Sequence, residues 1–254
     1  MLAQQRHQLI LDALLSEGGV RTIDLAQRCG VSEETVRRDF EKLEGAGHLL
    51  RVHGGAVPVE GPRRDMPFEE REELQREEKQ KIAREALTRI QPGNTILLDA
   101  SSTALHLARL LPEMPLTLLT NSWTILDALR EHPQEIKTIL TGGIFKTSSR
   151  SLTGPLVDLA LERFRINHAF ISCRGVDPAR GFCEANEETA RIKEHMISLA
   201  DHTTILADHS KIGLRSSFFF AHPTAVNELI TDTTAPASAL ETLRAKGLTV
   251  TVVA

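Results

Sequence analysis

The 254-residue chain is 41% hydrophobic and 25% charged, a balance that suits a soluble globular protein with room for two modest domains. Its formal net charge of -4 excludes a protein-wide basic surface, so any contact with nucleic acid has to come from locally placed cations. No apolar run approaches the roughly 20 residues of a membrane span, and Gln4, Gln5, Arg6 and His7 stand where a secretory leader would turn hydrophobic.

Three cysteines, Cys29, Cys173 and Cys183, lack paired metal-ligand spacing and fit a reduced, cytoplasmic protein. His168, His195, His202, His209 and His222 show no metal spacing either, and nothing in the chain calls for a metal or an organic cofactor.

In chain order, Leu9, Ile10, Ala13 and Leu14 recur at helical spacing and predict a first amphipathic helix, ended by Gly18-Gly19. Val20-Arg21-Thr22 leads into a second helix, with Thr22 or Asp24 as its cap and Ile23, Leu25 and Ala26 turned to the core. Gly30-Val31 makes a turn. Ser32 then caps a third helix whose first turn carries Glu33 and Glu34, suited to the positive end of the helix dipole.

On that third helix Val36, Phe40 and Leu43 share one face at i, i+4, i+7. Arg38 falls on the opposite side, Thr35 and Lys42 flank it, and Arg37 lies at the margin. A helix presented by a tight turn is the common way to offer side chains to the major groove of DNA. Arginine pairs bidentately with guanine, and threonine can touch a base or a thymine methyl. Either arginine can instead hold phosphate, which positions without specifying. The alternative is an ordinary helix with a solvated charged face.

From His48 to Val57, apolar residues alternate around Gly54-Gly55 and predict a small hairpin wing, with Arg51 and His53 in reach of the sugar-phosphate backbone or simply solvated. Pro58 to Pro67 is rich in Pro, Gly and charge and reads as a connection. The expected organisation is a winged helix-turn-helix over 1–57, a linker over 58–76 and a second domain over 77–254, opening on a helix from Glu77 to Ile90.

Thereafter strand-like and helix-like segments alternate. Strands are expected at Thr95 to Asp99, Leu116 to Thr120, Lys137 to Leu140, His168 to Ser172, Thr203 to Ala207, Glu228 to Thr231 and Thr249 to Val253. Helices are expected at Thr103 to Leu111, Ser122 to Glu131, Pro155 to Phe164, Glu187 to Ala200 and Pro236 to Ala245. This alternation implies a doubly wound, mainly parallel α/β sheet, whose ligands bind beyond the carboxyl ends of the strands.

Those ends are polar. The first runs into Asp99-Ala100-Ser101-Ser102-Thr103, where hydroxyls and backbone N–H groups at a helix start suit a phosphate, though capping explains Ser101 or Ser102 equally well. The next ends are Thr120-Asn121-Ser122, Thr141-Gly142-Gly143, Cys173-Arg174-Gly175-Val176-Asp177 and Asp208-His209-Ser210-Lys211. Glu184, Asn186, Glu187 and Lys193 follow, of which Asn186 can cap the next helix and Glu187 can sit in its first turn. A carboxylate near Asp177 can alternatively bind sugar hydroxyls, or move a proton in an enzyme. Phe218-Phe219-Phe220 reads as a buried strand or a subunit contact.

The run from Arg6 through Ile10 and Leu14 to Ser32, Thr35-Val36-Arg37-Arg38-Asp39-Phe40 and His53-Gly54-Gly55-Ala56 resembles the DeoR-type transcriptional regulators in residue type and spacing. The strand ends from Asp99 to Lys211 resemble the sensor domain of the same family, which is similar in fold to ribose-5-phosphate isomerase. The resemblance implies a DNA-binding repressor of a carbohydrate operon, bound to double-stranded operator DNA through Ser32, Thr35, Arg37, Arg38, Lys42, Arg51 and His53. It implies a phosphorylated sugar effector, with Ser101, Ser102 and Thr103 on the phosphate and Lys211, Arg150 and Arg174 as cations. Asp99, Asn121 and Asp177 would meet hydroxyls or order loops, and Thr120, Gly142, Gly143, Gly175 and Glu187 would complete the site. A homo-oligomer, dimer or tetramer, would pair two recognition helices. The competing readings are a sugar-phosphate isomerase with an accessory DNA-binding domain, and a constitutive DNA binder whose second domain only oligomerises.

Overall fold

A computed structural model describes the chain except for residues 1–2, 46–48, 59–66 and 131–134. It divides into two units, 1–66 and 67–254.

In the first unit α1 (Ala3–Glu17), α2 (Thr22–Cys29) and α3 (Glu33–Gly45) stack against a small sheet of β1 (Val20–Arg21), β2 (Leu49–Val52) and β3 (Gly55–Pro58), ordered β1-β3-β2. Ile10, Ala13 and Leu14 of α1, Leu25 of α2, and Val36, Phe40 and Leu43 of α3 form its core with Leu49 and Ala56 of the wing. Gly30 ends α2 in the left-handed conformation, its N–H bonded to the carbonyls of Ala26 and Gln27.

The expected cap of α2 is corrected. Neither Thr22 nor Asp24 caps it: Arg21 is the extended residue before the helix and lends no side chain, while Thr22 is already helical. The Thr22 N–H is satisfied across the fold by the Gly54 carbonyl at 2.9 Å. The reason is β1, which pairs Val20 with Ala56 and Arg21 with Gly55 and so takes the stretch expected as a lead-in into the wing sheet. That approach requires glycine: a Cβ on Gly55 would lie 2.0 Å from the Val20 carbonyl oxygen.

The second unit opens with α4 (Phe68–Glu73) and α5 (Arg76–Leu87). Phe68 is buried with Ile82, Ala83 and Ala86 of α5, so this unit takes in the latter part of the segment 58–76; the linker residues 59–66 lie outside the described residues. Then follow β4 (Thr95–Leu98), α6 (Ser102–Ala108), β5 (Leu116–Thr120), α7 (Trp123–Leu129), β6 (Ile136–Leu140), β7 (Ile144–Lys146), β8 (Ser151–Thr153) and α8 (Pro155–Leu161). The remainder is β9 (Ile166–Ser172), β10 (Gly175–Asp177), β11 (Gly181–Glu184), α9 (Glu187–Leu199), β12 (Ala200–Leu206), β13 (Phe218–Ala221), β14 (Glu228–Asp232), α10 (Ala237–Ala245) and β15 (Thr249–Val253).

The main sheet has seven strands in the order β15-β14-β12-β9-β4-β5-β6, and every pair is parallel. The chain enters at β4, winds outward through β5 and β6, crosses back to β9 and winds the other way. The winding reverses between β4 and β9, which makes their carboxyl ends the topological switch point. Alternate strand residues supply opposite faces. Ile96, Leu98, Phe170 and Leu206 pack with α5 and α6, while Leu97, Ala169, Ile171 and Ile205 lie in the cluster of Val157, Leu161, Ala190 and Met196 from α8 and α9.

Two small antiparallel sheets, β7-β8 and β10-β11-β13, stand outside this pattern. Phe218-Phe219-Phe220 falls in β13, with Phe220 buried against the core.

Candidate functional site

Ser32 starts α3 as its residue type and position suggest: its Oγ accepts the Thr35 N–H at 3.3 Å and lies 3.0 Å from the Thr35 hydroxyl. Burying Val36, Phe40 and Leu43 fixes the helix's rotation, and that rotation leaves Arg37, Arg38 and Lys42 exposed, the two arginine side chains at 58% and 73%. Arg37 rests on Glu33 at 3.1 Å and Arg38 on Glu34 at 3.4 Å, exposed pairs that a phosphate or base edge can displace at little cost. His53 sits exposed in the turn of the wing. Arg51 is differently placed. Its guanidinium holds Glu41 and Glu44, each at 2.8 Å, and ties β2 to the last turns of α3.

Next to Arg38, Asp39 turns inward, 3% exposed, clasped by Arg6 (Nη2 to Oδ1 at 3.1 Å, with a second bond from Nε) and by His7 at 2.9 Å. Burial alone would raise the Asp39 carboxyl, but Arg6 and then His7 outweigh it and hold the pKa below the ordinary carboxylate value.

At the switch point of the second unit charged groups converge. Asp99 follows β4 and is 1% exposed. Its Oδ2 accepts the Ser172 N–H at 3.2 Å, bridging the ends of β4 and β9, and meets Lys193 Nζ at 3.0 Å. Lys193 reaches in from α9 and also donates to Glu184 at 2.5 Å and to the Ser172 carbonyl at 2.7 Å. Burial works against its charge, but Glu184 and Asp99 overcompensate and raise its pKa, so it stays protonated.

Lys211 donates to the Ser172 hydroxyl at 2.9 Å and lies 3.6 Å from Asp208. The buried Asp208 carboxyl is opposed by desolvation yet held below its ordinary pKa, chiefly by Lys211 and then by Lys79. Lys79 is itself buried in α5 and donates to the carbonyls of Arg71 and Leu74 at the end of α4. Burial first, then the charge of Lys211, pulls its pKa down to about 7.

The buried side-chain atoms without a hydrogen-bond partner among the described residues include Asp99 Oδ1, Thr103 Oγ1 and Asn121 Oδ1. Ser101 caps α6 through the Ala104 N–H at 3.1 Å, and Ser102 donates to the Arg71 carbonyl at 3.2 Å.

Other expected residues have structural attachments. Thr120 bonds the Leu98 carbonyl at 2.7 Å, and the Asn121 amide bonds the Leu152 carbonyl at 3.0 Å. Gly142 and Gly143 have φ of 77° and 120°, and a Cβ on Gly143 would meet the Thr153 carbonyl at 2.4 Å. A Cβ on Gly175 would likewise meet the Leu214 carbonyl at 2.5 Å. Asp177 orders its own turn by accepting the N–H groups of Ala179 and Arg180 at 2.8 and 3.2 Å, and pairs with Arg215 at 2.7 Å. Arg150 pairs with Glu69, and the Arg174 N–H bonds the Cys183 carbonyl at 2.9 Å. Glu187 stands exposed in the first turn of α9.

The structure therefore brings Asp99, Ser102, Thr103, Asp208 and Lys211 to the switch region, places Glu184 and Lys193 there, which the sequence left without a settled role, and adds Lys79 and Ser172. A signal existed for two of them. Lys79 opens the apolar face of Ile82, Ala83 and Ala86, and Lys193 lies between Ala190 and Met196, so each is a charge on a buried stripe and needs a partner.

Residues 6–60 match the family model described as the DeoR-like helix-turn-helix domain, and residues 74–233 the one described as the DeoR C terminal sensor domain. The chain belongs to the DeoR family of transcriptional regulators. This DeoR-family chain is 38% identical over 253 residues to the HTH-type transcriptional regulator YulB of Bacillus subtilis, covering 100% of this chain and 98% of YulB. It is 36% identical over 231 residues to the L-fucose operon activator of Haemophilus influenzae, covering 91% and 92% of the two chains. It is 29% identical over 252 residues to a putative aga operon transcriptional repressor of Escherichia coli O157:H7, covering 98% and 93%. Among solved structures, ribose 5-phosphate isomerase A of Methanocaldococcus jannaschii is similar at 18% identity and a TM-score of 0.40, covering 53% of each chain, a distant likeness that carries no argument about chemistry.

Proposed function

We propose that this DeoR-family regulator represses a carbohydrate-utilisation operon and that a phosphorylated sugar at the switch point of the sensor unit changes its affinity for operator DNA. The observation that carries the effector reading is the convergence of Lys193 on Asp99 and Ser172 and of Lys211 on Ser172 and Asp208 at the switch point, together with buried atoms on Asp99, Thr103 and Asn121 that have no hydrogen-bond partner among the described residues. A buried polar atom without a partner costs roughly 1–3 kcal/mol, a cost that a ligand rich in hydroxyls and negative charge relieves.

In this reading Ser101, Ser102, Thr103, Lys79 and Lys211 take the phosphate, Asp99 and Asn121 take hydroxyls, and Asp177, Gly142, Gly143, Gly175, Arg150, Arg174, Thr120 and Glu187 shape the surrounding loops. Arg38 and Thr35 read base edges, while Ser32, Arg37, Lys42 and His53 hold the backbone; Arg51 joins them only by leaving Glu41 and Glu44. Repression is the expected sign because an operator-bound module obstructs a promoter unless it also recruits polymerase. The carbohydrate class is supported by relatives named for the fucose and aga operons. The protein acts as a homo-oligomer without catalysis.

The test is a thermal-shift screen of the whole protein against sugar phosphates and their unphosphorylated parents. A ligand at 100 times its dissociation constant stabilises the unit it binds by about 2.7 kcal/mol. A shift with one phosphorylated compound and not its parent is expected. No shift with any of them removes the effector assignment, and turnover of the bound compound removes the regulator-only reading.

A further inference from the structure

The second unit exposes large apolar side chains in one region: Ile144 at 65%, Leu156 at 58%, Leu159 at 54%, Trp123 at 48% and Phe145 at 47%. They come from α7, β7 and α8, with the β7-β8 ribbon between the two helices. Trp123 and Phe145 meet edge to face with ring centroids 6.2 Å apart. Ile144 lies over Gly154, where a Cβ would touch its side chain at 3.5 Å, and Gly154 is the cap of α8, which carries Leu156 and Leu159.

Helix α8 is the informative element. Val157 and Leu161 bury its inner face, yet Leu156 and Leu159 make its outer face apolar too. A helix apolar on both sides is built to be covered on both sides, and exposed apolar side chains grouped on neighbouring elements mark an interaction surface. The border is electrically balanced. Lys146 pairs with Glu188, and Arg191 with Asp158 at 2.8 Å. A surface of one sign repels its own copy across a two-fold axis, whereas a balanced one does not. A nucleic acid or strongly charged protein would instead want one sign. Each chain offers a single recognition helix, and helix-turn-helix proteins read paired half-sites, so a second copy is the partner DNA reading requires.

We propose that Trp123, Ile144, Phe145, Leu156 and Leu159 form the surface through which two copies of this chain associate, a proposal that rests on the regulator reading for the identity of the partner. The surface adjoins the strand-end loops, since Trp123 follows Asn121-Ser122 and Ile144 follows Gly142-Gly143. Association and effector occupancy therefore share loops.

The experiment is sedimentation velocity of the full chain over a wide concentration range, comparing the unaltered protein with Leu156→Glu/Leu159→Glu, Phe145→Glu and the milder Leu156→Ser. Val252→Glu, at another exposed apolar position, is the matched control. The proposal expects a dimer or larger assembly for the unaltered protein and for Val252→Glu, and a monomer with native circular dichroism for the patch variants. It expects the milder variant to shift the association constant at least tenfold while the melting transition stays cooperative. Patch variants that keep the parent mass, a dimer broken by Val252→Glu instead, or an unaltered protein that stays monomeric throughout would each overturn it. Sugar-phosphate thermal shifts on the monomeric variant report separately on the effector reading.

Discussion

Asp39 shows how one residue's burial decides its role. It sits among Val36, Phe40 and Leu43, where a carboxylate survives only because Arg6 and His7 reach it. Removing one member of a buried ion pair is strongly destabilising, so Asp39→Ala is expected to destabilise the winged helix by about 3–5 kcal/mol. Urea unfolding followed by a probe in that unit checks it. On the exposed side of the helix, Arg38→Ala is expected to weaken operator binding by about 1–3 kcal/mol and leave the response to sugar phosphates unchanged, measured by gel shift and thermal shift on one preparation. Equal operator affinity in that variant would put the reading head elsewhere. Ser102→Glu places a fixed negative charge at the proposed phosphate position and is expected to abolish the thermal shift while the fold persists.

At the scale of elements, α4 and α5 are joined to the site by Lys79, whose ammonium satisfies two carbonyls at the end of α4 while facing Lys211 and Asp208. Its pKa of about 7 means that above neutrality much of it has lost its proton. A phosphate arriving beside it would favour the charged form, so binding at pH 8 is expected to take up protons. Calorimetry in two buffers of different ionisation enthalpy reads this directly, and a buffer-independent heat would remove Lys79 from the proposed phosphate site. The Asp208-to-Lys211 turn is braced in the same way. His209 is pinned to Asp232 by bonds of 2.7 and 3.0 Å, and those bonds, opposing burial, draw the Asp232 pKa down to about 2.

For the whole molecule the two units should answer acid differently. His106 and His168 of the sensor unit have pKa values pulled to about 4. Burial is the main cause for both; Lys79 adds to it for His106 and His202 for His168. The unfolded chain takes up these protons near pH 6.5, so the stability they confer is full above about 6.5 and is lost as pH falls toward about 4, at most ~3 kcal/mol each. In the winged helix the depressed carboxyl of Asp39 gives stability that is full above the ordinary carboxylate pKa of about 3.9 and is lost only below it. Calorimetry from pH 7 to 4 is therefore expected to show the sensor transition falling while the winged-helix transition holds.

Much of this was legible in the sequence. The seven strands of the main sheet were read within a few residues because each is a short apolar run between helices that repeat at 3.6 residues, and local periodicity encodes both. The turn, the Ser32 cap and the outward face of α3 were legible for the same reason. What the sequence left open was everything set by which strands become neighbours. Asp99, Ser172, Glu184 and Lys193 are far apart in the chain and meet because the sheet reverses its winding between β4 and β9. Val20–Arg21 becomes a strand only because the wing comes alongside it, and Arg51 is drawn to Glu41 and Glu44 by the same folding of the wing onto α3. Periodicity determined the elements and their exposed faces, since these depend on residues within one or two turns. Charge partners, orphaned polar atoms and the two-faced apolar helix α8 were decided by tertiary structure, because a burial cost exists only once distant segments have closed around a group.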